Sequence, residues 1–439
     1  MRAGAAALAA TLLLAGCADT WLGIDETVPL PGERIPVMLL EDELAADPRL
    51  LDVDVRLPPP QTNPEWPQSG GLPDNAMHHL AAADELTLAW RAGIGRAGRG
   101  GWTFLARPVV ADGRVFTMDV QGTISAFEAA DGRRAWQYRP DGLSGADGLL
   151  GGGLAWQDGR LFATLSSGVV LAIDATSGTE LWRQSLMLPL RAAPSIADGL
   201  VLVLTADNQL YALDDATGRP VWRHAGFVES AGLLGGPSPA IANGIVVVPY
   251  SSAEVYALRL DTGRPLWSDT VQRPRRTLAL AEINDIDGNP VVDGERVFVA
   301  GHAGQMAALD LRRGMRAWDV DLASRDTPWV AGDFIYVLTT RNEVVCLLRD
   351  NGRVRWVSPL PRFESPDDPN STPLHWSGPI LVGDRLLLAG SNGQLVAVSP
   401  YNGEILGRIN VNAPVHVPPV AAGGTVFVVT ERGELLAFR

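Results

Sequence analysis

From about residue 84 onward, apolar and polar residues alternate over short stretches, and the stretches recur in a fixed order. In one recurring unit an alanine is followed six positions later by glycine and ten positions later by tryptophan. The copies are Ala126, Gly132, Trp136; Ala172, Gly178, Trp182; Ala212, Gly218, Trp222; Ala257, Gly263, Trp267; and Ala308, Gly314, Trp318. Two more copies keep the register with altered residues, Cys346, Gly352, Trp356 and Ala397, Gly403, Gly407. Period-two alternation, as at Ile124 and Ala126 or Leu171 and Ile173, predicts a strand, and glycine supplies the positive φ of a turn. The unit is therefore a strand, a turn and a second strand that carries the Trp. Spacing inside the unit never slips while the interval between copies varies, which puts the fixed part in a packed hairpin and the variation in loops.

Upstream of most copies lies a second pattern, proline, then glycine, then a Val or Leu run. It occurs at Pro108, Gly113, Val115; Pro194, Gly199, Val201; Pro239, Gly244, Val246; Pro328, Gly332, Ile335; and Pro379, Gly383, Leu386. These runs predict two inner strands, making four per unit. The third-strand pattern occurs an eighth time at Gly433 to Phe438, where the sequence stops before a turn and a Trp strand. An orphan strand pattern, Leu86 to Trp90, opens the repeat region. The economical expectation is an all-β, eight-bladed β-propeller of four-stranded blades, with the N-terminal strand completing the last blade and removing an open sheet edge. The recurring Trp residues are expected to fill the space between blades, with each indole N–H bonded locally. Cys346 stands at the small-residue position of a strand, which predicts a buried, inert thiol.

Ahead of the repeats the chain divides in two. Arg2 and the apolar run from Ala3 to Gly16 read as an export signal, residues 1–16, too short to span a bilayer comfortably. The string LLLAGC, Leu12 to Cys17, resembles the bacterial lipobox, which implies acylation at Cys17 and a lipid anchor. Residues 17–83 are rich in Pro, Asp and Glu and are expected to be a tether, with 84–439 the propeller. Two stretches stand apart within the tether. Val37 to Leu51 predicts a brief helix or a segment laid along the main domain, and Trp66 to Leu80 is expected to dock on it. A net charge of -14 gives no electrostatic reason to expect nucleic acid or direct attachment to anionic lipid. Partners are expected to be proteins or neutral ligands.

The search for chemistry nominates no catalytic residue, no cofactor site and no metal site. The six histidines, His78, His79, His224, His302, His375 and His416, show no metal-ligand spacing. Asn284 to Asn289 has some features of a calcium loop, but Gly288 comes too early and Arg296 stands where the closing Glu belongs. No GxSxG or phosphate-binding loop is present.

The form Ala212, Asp214, Thr217, Gly218, Trp222 resembles the Trp-docking repeat of pyrroloquinoline-quinone dehydrogenases, which makes a periplasmic oxidoreductase the alternative reading. Those enzymes carry adjacent cysteines near the cofactor, whereas Cys17 and Cys346 are the two cysteines here. A propeller that binds glycan or peptidoglycan is a further alternative. Over nearly its whole length the chain resembles the BamB family, lipoproteins of the outer-membrane β-barrel assembly machinery. Leu188, Pro189, Leu190, Arg191 is similar to that family's Leu-x-Leu-Arg segment, and Glu282 to Asp287 to its Asp-x-Asp segment. The resemblance implies a non-catalytic scaffold at the outer membrane, facing the periplasm. It also implies that Leu188, Leu190, Arg191, Asp285 and Asp287 bind the POTRA domains of BamA. Both strings fall in outer-to-inner connections, which emerge on one rim of a propeller about 90° apart. Arg191 is expected there as a solvated fork whose reversal to Glu leaves the melting temperature unchanged.

Overall fold

The computed structural model describes residues 44–97, 106–141, 151–228, 235–272, 285–302, 304–366 and 368–439. The expected signal segment, Cys17 and the tether as far as residue 43 lie outside the described residues, as do Glu282 to Asn284. The described residues form eight four-stranded antiparallel sheets arranged as the blades of a β-propeller: 109–138, 152–185, 195–225, 240–270, 291–320, 329–359, 376–410, and 420–438 with Leu88–Gly93. In the first seven blades the strand order from the axis outward follows the sequence. The eighth takes its outer strand from Leu88–Gly93, paired antiparallel to Glu434–Phe438, as the orphan N-terminal pattern predicts.

Burial explains the strand sequences. Second and third strands are covered on both faces by neighbouring blades, so they read as continuous apolar runs, such as Leu200–Leu204 and Phe334–Leu338. Outer strands are half-covered and alternate, as in Pro220–Ala225. In each third-to-fourth pair the register slips beside the repeat alanine: Ala212 faces Trp222 and Leu213 faces Pro220, leaving Val221 as a bulge. The closing strand reproduces this, with Trp90 facing Ala437 and the register slipping between Leu88 and Trp90.

The Trp–Gly spacing turns out to be a contact between blades. Trp136 of the first blade lies on Gly178 of the second, where a Cβ would sit 2.7 Å from its ring, and its indole N–H donates to Ala175 O at 2.9 Å. The same arrangement joins Trp182 to Gly218 and Asp215 O, Trp222 to Gly263 and Leu260 O, and Trp267 to Gly314 and Leu311 O. It continues with Trp318 on Gly352, Trp356 on Gly403, and Trp90 on Gly132 across the closure. Every docked glycine has a positive φ, for example 71° at Gly218. Blade eight draws its third and fourth strands from opposite ends of the chain, so it has no turn for a seventh-blade Trp to meet. Gly407 stands in that place, and a Cβ added there would meet nothing within 4 Å.

Leu44–Arg439 form one compact unit, so residues 44–83, expected as a tether in which Trp66 to Leu80 docks, pack with the propeller. Within 44–83, Val55, Trp66, Met77 and Leu80 are buried in contact with the propeller, and Leu50 is buried as well. Low periodicity suggested a spacer, but these side chains find partners on the ring rather than on each other. The expected helix is reduced, among the described residues, to one 3-10 turn, Pro48–Leu50, capped by Asp47.

Candidate partner-binding face

Outer-to-inner connections and second-to-third-strand turns emerge on one face of the ring, and the nominated residues lie there. The connection between blades two and three holds Leu188 half-buried and Leu190 buried, the latter bridged to Thr205 of blade three. Arg191 is 6% exposed, so the expectation of a solvated fork is not met. Its Nη2 donates to Asp285 Oδ2 at 2.5 Å and its Nε donates to Gly235 O at 2.9 Å. The backbone of Arg191 also receives Gly152 N–H at 3.2 Å and donates to Leu204 O at 3.1 Å. One residue thereby links blades two and three to the connections that lead into blades four and five. Glycines make the room: a Cβ on Gly236 would lie 3.0 Å from Arg191 Cβ, and one on Gly151 would lie 2.7 Å from Leu190 O.

The two strings expected to sit apart on the rim therefore meet directly, because Asp285 is fully buried against Arg191. Asp287 lies beside them, with Oδ2 3.6 Å from Arg325 Nε and no hydrogen-bond partner for Oδ1 among the described residues. Burial, reinforced by the charge of Asp285, pushes its carboxyl up to about 7. Asp326, part-buried nearby and accepting from Gly378 N–H at 3.1 Å, is pushed up to about 6 by the same loss of water. Arg107, also part-buried, is lowered by desolvation, against the attraction of Asp326. These groups border a cavity of about 400 Å³ at the channel mouth, shared with Asn289, His375 and His416.

Sequence reasoning missed the most accessible apolar side chains of this face among the described residues. Met187 is 89% exposed at the tip of one connection, and Phe227 and Val228 are 71% and 70% exposed in the next. Asn208 Nδ2 holds the Phe227 carbonyl and also donates to Ser251 Oγ at 2.8 Å, which fixes the backbone while leaving the ring in water. The signal was present, since Phe227 and Val228 follow an outer strand after a single glycine, Gly226, but no repeat position marks them. Other exposed apolar residues, Leu181, Val221, Leu266 and Leu406, are spread singly around the outer strands and need no partner.

The family described as "Outer membrane protein assembly factor BamB" matches residues 82–150, 140–358 and 365–439. The chain belongs to the BamB family. A BamB relative from Moranella endobia is 25% identical over 357 residues, which cover 79% of this chain and 89% of the relative. The solved structure of BamB from Moraxella catarrhalis superposes with a TM-score of 0.68 at 20% identity, covering 81% of this chain and all of that one. A europium-containing methanol dehydrogenase superposes with a TM-score of 0.65 at 14% identity, covering 85% and 98%, a likeness of fold alone. The physical role of the repeat in this chain is the Trp–Gly dock. Cys346, at the repeat's small-residue position, is fully buried and its thiol is pushed up by desolvation.

Proposed function

We propose that this chain is a non-catalytic scaffold of outer-membrane protein assembly, anchored through acylated Cys17 at the outer membrane and facing the periplasm. Its outer-to-inner loop face binds the POTRA domains of BamA. The observation that carries this reading is the group of exposed apolar side chains Met187, Phe227 and Val228 on a rim stiffened from beneath by the Arg191–Asp285 pair. Exposed apolar side chains on a rigid frame with charged neighbours have the make-up of a binding hot spot. Family membership supports the partner class, and the absence of a nominated nucleophile or base in the sequence fits a binding role.

Of the five nominated residues, Leu188 and Asp287 retain access to a partner, while Leu190, Arg191 and Asp285 act by holding the loops. The test is calorimetry with isolated BamA POTRA domains. Phe227→Asp and Met187→Asp are expected to weaken binding by at least about tenfold, the effect of losing roughly 1.4 kcal/mol, while leaving the melting curve unchanged. Wild-type affinity in both variants would move the interface elsewhere, and no binding by the unaltered protein would remove this reading.

A further inference from the structure

Residues 63–80 touch the blades of the ring one after another. Asn63 accepts from Gly423 N–H at 2.7 Å and donates to Ala421 O at 2.6 Å, on blade eight. Trp66 exchanges both backbone bonds with Val110 of blade one, at 2.7 and 2.9 Å. Pro67 O accepts from Trp156 N–H of blade two at 2.7 Å. The Gln68 side chain accepts from Ile196 N–H at 3.0 Å and donates to Ile196 O at 2.9 Å, on blade three. Pro73 O accepts from Ile241 N–H of blade four at 2.7 Å, and Asp74 O from Val292 N–H of blade five at 2.8 Å. His78 O accepts from the Trp329 indole of blade six at 2.7 Å. Leu80 donates to Leu381 O at 3.2 Å and accepts from Gly383 N–H at 2.7 Å, on blade seven.

The innermost strand of each blade is a sheet edge, with amides and carbonyls aimed at the axis. Left dry and unpaired, such groups are costly, so something must meet them. The segment meets main-chain groups in seven blades and the Trp329 indole in the sixth, and Pro67 and Pro73 suit the task because proline offers a carbonyl with no competing N–H. Side chains add to the hold. Trp66 stacks on Trp329 with ring centroids 6.2 Å apart, and His79 spans Pro58 O and Gly383 O at 2.7 and 2.8 Å. Contacts to Gly332, Gly383 and Gly423, all in first-to-second-strand turns, put the segment's flanks at that end of the channel. Ser69 reaches the floor of the cavity that opens among the partner-face loops.

We infer that the inner-strand edges form a peptide-binding site, filled in cis by residues 63–80, which closes the channel at the turn face and leaves it one mouth, on the loop face. The ligand class is a proline-containing, turn-bearing peptide that presents carbonyls outward. This inference is independent of what the loop face binds.

The test uses the full chain with a protease recognition sequence inserted between Asp84 and Glu85, both exposed. After cutting, the N-terminal fragment is expected to stay with the propeller through native gel filtration. The amides of Val110, Trp156, Ile196, Ile241 and Val292 should keep the hydrogen-exchange protection they have in the uncut chain. Fragments carrying Trp66→Ala with Gln68→Ala should be lost at least tenfold faster, and in the uncut variant the same five amides should exchange at least tenfold faster. Separation of the unaltered fragment on the first column, or exchange rates at those amides that ignore both cutting and substitution, would overturn the inference.

Discussion

At Arg191 a guanidinium meets a carboxylate that water does not reach, so removing one partner takes from the other a close opposite charge that water cannot replace. Arg191→Met should therefore destabilise the fold by roughly 3–5 kcal/mol, the usual cost of breaking a buried pair. Arg191→Met with Asp285→Leu should recover much of that loss in chemical denaturation. A single-variant midpoint equal to wild type would show that the pair is not buried in solution. Asp287 makes a different demand, because its carboxyl stands near 7 in the folded chain against 3.8 for the ordinary group, chiefly through burial. Below pH 4 both folded and unfolded chains hold this proton; between about 4 and 7 only the folded chain does, so stability falls as pH rises; above 7 neither does and the term is constant. The melting-temperature gain of Asp287→Asn over wild type is thus expected to grow from pH 4 to 7 and then level. A gain independent of pH would mean that this carboxyl is not shifted.

Among the elements, the Trp strand and the glycine turn are legible in sequence because a single contact fixes both. An indole that must lie on the next blade's turn and bond the carbonyl three residues before its glycine tolerates no slip in spacing. Gly407 was legible as a departure but not as a consequence, since its reason lies in the eighth blade being assembled from both ends of the chain. Residues 44–83 misled in part for a related cause: a docked Trp66 to Leu80 was expected, the burial of Leu50 and Val55 was not. Their bonds run largely through backbone carbonyls and through proline, which leave no periodic trace, and each partner lies in a different blade. Arg191 misled as well, because its carboxylate partner is 94 residues away and only the ring brings them together. The glycine argument can be checked directly. Gly218→Ala places a methyl 2.6 Å from the Trp182 ring at φ 71°, so it should destabilise clearly, while Gly407→Ala meets nothing and should be neutral or stabilising by about 0.4–1 kcal/mol. Equal melting shifts for the two would count against the docking role.

For the molecule as a whole, the ring has eight seams, and closure must be made by a strand that no covalent turn ties to its blade. Leu88–Gly93 holds its place through the ladder to Glu434–Phe438, through Thr87 and Arg439, which exchange backbone bonds at 2.8 and 2.9 Å, and through Trp90. Trp90 rests on Gly132 and donates to Ala129 O at 3.1 Å, the same contact that seals six of the internal seams. Its ring also meets Phe427 with centroids 5.9 Å apart, where Trp182 meets Phe162 at the same distance. If closure is a full seam, Trp90→Ala must cost as much as Trp182→Ala, about 3–5 kcal/mol for a large aromatic removed from a packed site. A loosely attached terminal strand would behave differently, fraying with little effect on the other blades. Denaturant titrations of the two variants, followed by tryptophan fluorescence and by circular dichroism, distinguish these cases. Matching losses in one cooperative transition are the expected result. A Trp90→Ala protein with the wild-type midpoint, or with a separate early transition limited to the eighth blade, would mean that the ring does not depend on this strand for its closure.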